Sequence, residues 1–395
     1  MITSVLPSYA RAPISFERGE GSYLFTTDGR KYLDFTSGVA VVALGHANPR
    51  LIKVLTEQAQ KLWHCSNLFE VEGQKRVAAK LIAHSFAETV FFCNSGTEAV
   101  EAAVKMARKY HAATGHPEKY RIIACTGSFH GRTLAMLAAA GNEKYLAGFG
   151  PPLEGFDHVP FGNLNEMRAA VTAETAGILV EPVQGEGGLA TPPHGYLKGL
   201  RQMCDEFGLM LVYDEVQSGM GRTGKLFAHQ WEPGAEPDIL ATAKGLGGGF
   251  PVGACLATEK AAVGMVAGTH GSTFGGNPLA MAVAGEVIEV LMEPGFFEHA
   301  GKSANALRAR LEKLVAAHPA IFAEVRGAGL LQGLRCVVPN TEMVAKLRDA
   351  GLLVAGAGEN VIRLMPPLTV EEAQIDEAFA IIDKVAREWQ PAKAS

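Results

Sequence analysis

The chain has 395 residues, 48% of them hydrophobic, and a formal net charge of -5. That length and apolar content can bury a large core, and they favour two domains or one large domain with an annex. The acidic balance argues against a nucleic-acid binder, which would carry a basic face, and no apolar run reaches the length of a membrane span. Six cysteines stand singly with no CxxC pair, as small core residues of a reducing compartment would. The opening residues 1–7 show neither a cationic stretch nor an apolar run of the leader type. The expectation is a cytoplasmic protein that works on small molecules.

In chain order, residues 21–35 hold two aromatic-rich runs around Asp28-Gly29, a hairpin signal. Residues 49–62 place Leu51, Ile52, Leu55, Ala59 and Leu62 at helical spacing. Strand-like runs at 89–93, 121–125, 178–183 and 209–213 then alternate with helical stretches at 97–110 and 197–207. Such alternation predicts an α/β fold built on a largely parallel sheet flanked by helices.

The character changes after Pro278, with long helical patterns through Met292 and around Leu307, Leu311 and Leu314. Short strands are expected at 330–338 and 361–364. Thr369-Val370-Glu371-Glu372 reads as a capping box opening an amphipathic helix with Ile375, Phe379, Ile382, Val385 and Trp389 on one face. The predicted division is a large domain at 49–278 and a smaller α/β domain at 279–395, joined by the N-terminal segment 1–48.

Chemistry concentrates where predicted strands end. The apolar run 239–243 delivers Lys244 to a loop holding Gly245, Gly247, Gly248 and Gly249. A lysine among apolar neighbours at a strand end can lose its proton and act as a nucleophile. The run 209–213 ends in Asp214-Glu215-Val216-Gln217, and neighbouring strands would bring Asp214 to Lys244. Asn94-Ser95-Gly96-Thr97-Glu98 lies between a strand and a helix, where free amides and hydroxyls can hold a phosphate; a plain N-cap by Ser95 or Thr97 is the simpler alternative.

Ser128-Phe129-His130-Gly131-Arg132-Thr133 offers a stacking ring and a carboxylate clamp, although Phe129 and His130 also suit a core and Arg132 a surface ion pair. Glu181-Pro182-Val183-Gln184-Gly185-Glu186-Gly187-Gly188 adds a glycine-framed acid, and Ser272 and Thr273 add hydroxyls before a helix. Gly219-Met220-Gly221-Arg222-Thr223-Gly224 satisfies the dinucleotide pattern GxGxxG, yet Pro233 leaves room for only a short helix after it. A metal centre lacks its ligand spacing and a serine hydrolase its GxSxG elbow. A lysine nucleophile, a strand-end acid, a phosphate nest, a stacking ring and arginine clamps together suit pyridoxal phosphate.

These motifs, with Ala243-Lys244-Gly245-Leu246-Gly247-Gly248-Gly249 and His270-Gly271-Ser272-Thr273-Phe274-Gly275-Gly276-Asn277-Pro278, follow one another in an order that resembles the class III pyridoxal-phosphate aminotransferases over nearly the whole chain. The resemblance implies a fold type I transferase, active as a homodimer with shared active sites. It implies that Lys244 forms the Schiff base and shuttles the proton, and that Asp214 pairs with the pyridine nitrogen. Phe129 would stack on the ring, Glu215, Val216 and Gln217 would lie against the cofactor, and Gly96 and Thr97 would hold its phosphate with Thr273 of a second subunit. Arg132 and Ser272 would receive the amino donor. Glu186 would pair with Arg363 and release it when glutamate binds. The implied reaction moves an amino group from the far end of an acylated diamino acid to 2-oxoglutarate. Apolar Val39 disfavours free ornithine, while N-succinylornithine, N-succinyl-diaminopimelate and 4-aminobutyrate stay open as donors. The rivals outside the family are a nicotinamide dehydrogenase using Gly219 to Gly224 and a silent metabolite-binding protein.

Overall fold

A computed structural model of the chain describes residues 4–390. The start of the opening stretch, residues 1–3, and the end of the segment 279–395, residues 391–395, lie outside the described residues. Three strands come first: β1 (Phe16–Glu20), β2 (Tyr23–Thr26) and β3 (Lys31–Asp34). β2 and β3 pair antiparallel around the expected Asp28-Gly29 turn, where Gly29 takes a φ of 83° that favours glycine.

The next seven strands are β4 (Thr89–Cys93), β5 (Arg121–Cys125), β6 (Phe156–Val159), β7 (Thr175–Val180), β8 (Met210–Asp214), β9 (Ile239–Thr242) and β10 (Gly253–Ala257). They form one sheet in the order β4-β10-β9-β8-β7-β5-β6. Every pairing from β9 to β6 is parallel, and only β10 runs against its neighbours. All residues of β7 to β10 are buried, which explains why these strands are largely apolar and do not alternate with polar residues: both faces are covered. Along β8, Met210 and Val212 join the core under the helix Gly96–Ala113, while Leu211 and Tyr213 join the core under the helix Tyr196–Phe207. The period-2 alternation of the strand is thus spent on two helical layers.

The remaining strands are β11 (Phe322–Ala328), β12 (Leu331–Cys336), β13 (Leu352–Leu353), β14 (Ala355–Ala357) and β15 (Val361–Leu364). A smaller antiparallel sheet runs β11-β12-β15-β14, and β13 pairs parallel with β3, so both ends of the chain meet in one region. The helices Phe296–Ala317 and Glu372–Arg387 pack against each other beside it. The fold is the expected α/β architecture with a large, mostly parallel sheet and a smaller antiparallel one.

Several boundaries differ from expectation. The run read as one strand at 330–338 is half of a hairpin, and β11 preceding it was not foreseen. The closing helix is capped by Glu371, whose N–H is met by Gln374 Oε1 at 3.0 Å, in place of a cap at Thr369. Residues 368–370 are held otherwise: Leu368 N–H donates to the Ala43 carbonyl at 2.7 Å and the Val370 carbonyl accepts from Ser303 Oγ at 2.9 Å. After Gly219 to Gly224 comes only the single tight turn Ala228–Trp231, so the GxGxxG match opens no crossover helix.

Candidate active site

Parallel pairing sets Asp214 of β8 opposite Ala241 of β9, so the carboxyl ends of these strands bring Asp214 and Lys244 to the same rim. A cavity of about 330 Å³ opens there, with Asn94, Gly96, Thr97, Phe129, His130, Glu181, Glu186, Asp214, Val216, Gln217 and Lys244 in its wall. This is where open α/β sheets bind ligands, beyond the strand ends.

Lys244 has a φ of 42°, a left-handed conformation uncommon outside glycine. The strand before it and the turn at Gly248 and Gly249 after it, both with positive φ, hold it there. Burial lowers its pKa from 10.5 to about 8, and the Arg363 charge adds to the effect against the pull of Glu186, Asp214 and Glu181. A free amine at that position is a competent nucleophile and proton carrier.

Asp214 is buried with both oxygens engaged. Oδ1 accepts from Val216 N–H at 3.0 Å, and Oδ2 lies 2.8 Å from His130 Nδ1. Glu181, one strand over at the end of β7, accepts from Phe129 N–H at 2.9 Å. Burial, and after it the Asp214 charge, pushes its carboxyl well above the usual range. His130 follows the strand expected at 121–125, whereas Glu181 lies inside the run expected at 178–183; β7 stops at Val180 and so puts Glu181 at the rim.

At the opposite wall the helix Gly96–Ala113 starts with the Ser95 hydroxyl accepting from Glu98 N–H at 3.2 Å. The N-cap expected as the simpler alternative is therefore present, and it leaves the amides of Gly96 and Thr97 without intrahelical partners beside the cavity. Glycine is required here for space: a Cβ on Gly96 would lie 2.6 Å from Val216 Cγ1.

Glu186 and Arg363 meet as expected, with Nη1 of Arg363 2.6 Å from Oε1 of Glu186. Arg363 is 3% exposed and Glu186 32%, so the acid is the member free to swing outward. Arg363 Nη2 also donates to the Gly356 carbonyl at 2.8 Å.

Other expected residues stand elsewhere. Glu215 points to the far side of the strand end, its carboxylate taken up by the amides of Ala228 at 2.6 Å and His229 at 3.0 Å, the His229 ring and Ser218 Oγ. This corrects its expected place against the cofactor: successive residues of an extended strand face opposite ways. Arg132 is exposed outside the cavity wall, its guanidinium 4.1 Å from the Tyr145 ring centre and 5.4 Å from that of Phe129. Ser272 Oγ accepts from Asn94 Nδ2 at 3.1 Å, and so touches the site through Asn94. Thr273 is exposed and apart from this cavity.

The residues fit pyridoxal phosphate. Helix-start amides suit its phosphate, a carboxylate its ring nitrogen and an amine its carbonyl. Buried polar atoms on three residues around the cavity, His130 Nε2, Gln217 Oε1 and Arg363 Nε, have no protein partner.

Residues 6–386 match the aminotransferase class-III family, and the chain belongs to that family. Pyridoxal phosphate is its cofactor. Among relatives, the chain is 55% identical to the acetylornithine aminotransferase of Mesorhizobium japonicum, over 95% of this chain and 94% of that one. The structure of N-acetylornithine aminotransferase from Stenotrophomonas maltophilia superposes with a TM-score of 0.84 at 36% identity, over 96% of this chain and 97% of that one. The ornithine aminotransferase of Toxoplasma gondii, whose structure has partial occupancy of pyridoxal phosphate at its active site, superposes with a TM-score of 0.92 at 31% identity, over 97% and 92% of the two chains.

Proposed function

We propose that this protein transfers the δ-amino group of N2-acetylornithine to 2-oxoglutarate, forming N-acetylglutamate 5-semialdehyde and glutamate in arginine biosynthesis. The observation that carries this reading is the Glu186–Arg363 pair at the Lys244 cavity. In glutamate the reacting carbon bears a carboxylate, which needs a cation close to Lys244. In the acylated donor the reacting δ-carbon bears none, and a bare buried arginine would be costly beside it. An acid that can leave or cover Arg363 serves both substrates in turn.

Bound pyridoxal phosphate supplies an electron-accepting ring and the carbon that carries the amino group between substrates. Gly96 and Thr97 would hold its phosphate through their amides, and Asp214, its own oxygens fixed by His130 and Val216, would keep the ring nitrogen protonated. Phe129 would stack on its ring, and Val216 and Gln217, in the same cavity wall, would contact the ring and its hydroxyl. Lys244 Nζ would take the proton from the reacting carbon and return it. Arg132, exposed outside the cavity wall, would receive the donor's distant α-carboxylate, and Ser272 Oγ holds Asn94 in that wall.

The working form is a cytoplasmic homodimer. Support comes from the exposed apolar side chains Trp63, Leu68, Phe69 and Phe274, the last beside Thr273. Thr273 would complete the phosphate site of a second copy. The chain divides into the N-terminal segment 1–48, the cofactor domain 49–278 and the small domain 279–395.

The test is a donor panel with purified holoenzyme and 2-oxoglutarate, reading glutamate formed. N2-acetylornithine should exceed N-succinylornithine, N-succinyl-diaminopimelate, 4-aminobutyrate and ornithine in kcat/KM by about 10-fold or more. A higher value for free ornithine overturns the assignment.

A further inference from the structure

The turn Gly219 to Gly224, after which no crossover helix opens, lies between the loop that follows β8 and the adjoining ends of β12 and β15. Arg222 is 2% exposed, and among the described residues no carboxylate pairs with it and its Nη2 has no partner. Burial alone pulls its guanidinium down to about 9, so it stays charged at neutral pH. Its Nη1 donates to two carbonyls, Leu330 at 3.1 Å and Pro366 at 2.5 Å, and its own carbonyl accepts from Leu330 N–H at 2.9 Å.

Those acceptors are informative. Leu330 immediately precedes β12 and Pro366 follows β15 by two residues, and β12 pairs with β15 through Gly333 opposite Arg363. One guanidinium thus ties together the adjoining ends of the strand pair that bears Arg363. The approach is too close for a side chain on the other partner: at Gly329, with φ 58°, a Cβ would lie 2.6 Å from Thr223 Cα. On the cavity side the same turn hangs from the loop of Asp214 and Gln217, with Gly219 N–H on the Glu215 carbonyl at 3.0 Å. A purely space-filling role would be met at lower cost by an apolar side chain, since a buried cation without a counter-charge is expensive.

We infer that Arg222 is a positioning residue, which fastens the β12–β15 strand ends to the Asp214 loop and so sets where Arg363 stands relative to Lys244. This rests on Arg363 being the carboxylate clamp for glutamate and 2-oxoglutarate.

The test compares holoenzyme of wild type, Arg222→Met, Arg222→Lys and Arg363→Ala. In Arg222→Met, amide hydrogen exchange should quicken at residues 361–365 and not at 210–214. KM for 2-oxoglutarate should rise about 10-fold while kcat/KM for the amino donor moves by less than about 2-fold, with Arg222→Lys in between. Unchanged exchange at 361–365 in both variants overturns the inference. So does equal loss for both substrates with faster exchange throughout. An Arg363→Ala variant with unchanged KM for 2-oxoglutarate overturns the clamp reading instead, leaving the exchange result to judge the role of Arg222.

Discussion

His130 Nδ1 lies 2.8 Å from Asp214 Oδ2, and both side chains are buried. With Val216 N–H on the other oxygen, the Asp214 carboxylate is held in one orientation in the cavity wall. Asp214→Asn keeps the shape and removes the charge that would hold a proton on the ring nitrogen. We expect kcat to fall by about 10²-fold to 10³-fold, the scale of losing one electrostatic partner in a dry site. His130→Phe leaves one Asp214 oxygen unpaired at a cost of about 1–3 kcal/mol. Cofactor affinity, measured by reconstitution of stripped protein, should weaken in both, and more in Asp214→Asn.

Lys244 makes the stability of the cofactor-free protein depend on pH in an unusual direction. Its folded-state pKa, about 8, lies below the ordinary 10.5. Below pH 8 both states carry the proton, and the cost of enclosing the charge is fully present. Between the two values the unfolded chain binds more protons than the folded one, so stability rises with pH. The Lys244→Met variant lacks this contribution. Its advantage over cofactor-free wild type should be largest near pH 7 and shrink by up to about 3 kcal/mol towards pH 10, read by denaturant unfolding. A constant difference would show that Lys244 is not enclosed as a cation. The same variant should have no measurable transamination.

Much of this arrangement was legible beforehand because strand ends are easy to read. The runs before Asp214 and Lys244 are continuous and apolar, and parallel neighbours put both residues at one rim. Glu215 was misread for a reason of the same kind, since a side chain one step from Asp214 must face the other way. Glu181 and His130 gained meaning only from pairing, because nothing local reveals that Glu181 would meet Phe129 N–H or His130 meet Asp214. The cap at Glu371 was displaced by long-range ties at Leu368 and Val370 that no local pattern encodes.

Gly131 has a φ of 131°, and a Cβ there would collide with Thr97 Oγ1 and lie 2.8 Å from Thr97 Cβ. The loop after β5 therefore packs directly on the start of the helix Gly96–Ala113, which fixes Phe129 in the same cavity wall as Gly96 and Thr97. Gly131→Ala must push the two apart. Cofactor affinity should drop by about 10-fold or more, while the unfolding midpoint of the cofactor-free protein changes little, since the strain is confined to the loop. Loss of folding with no selective loss of cofactor would refute this division of roles.

Removing the charge of Glu186 tests its pairing with Arg363. Glu186→Gln keeps a hydrogen-bond acceptor 2.6 Å from Nη1 but loses the neutralising charge. Arg363 then stands ready for a carboxylate at all times and faces the uncharged δ-carbon of the donor unscreened. The preference for the amino donor over glutamate, as the ratio of kcat/KM values, should fall by about 10-fold, driven by better use of glutamate. The two half-reactions are measured separately by single-turnover kinetics. If the ratio holds while both rates fall together, Glu186 is serving the stability of the rim and not the choice between substrates.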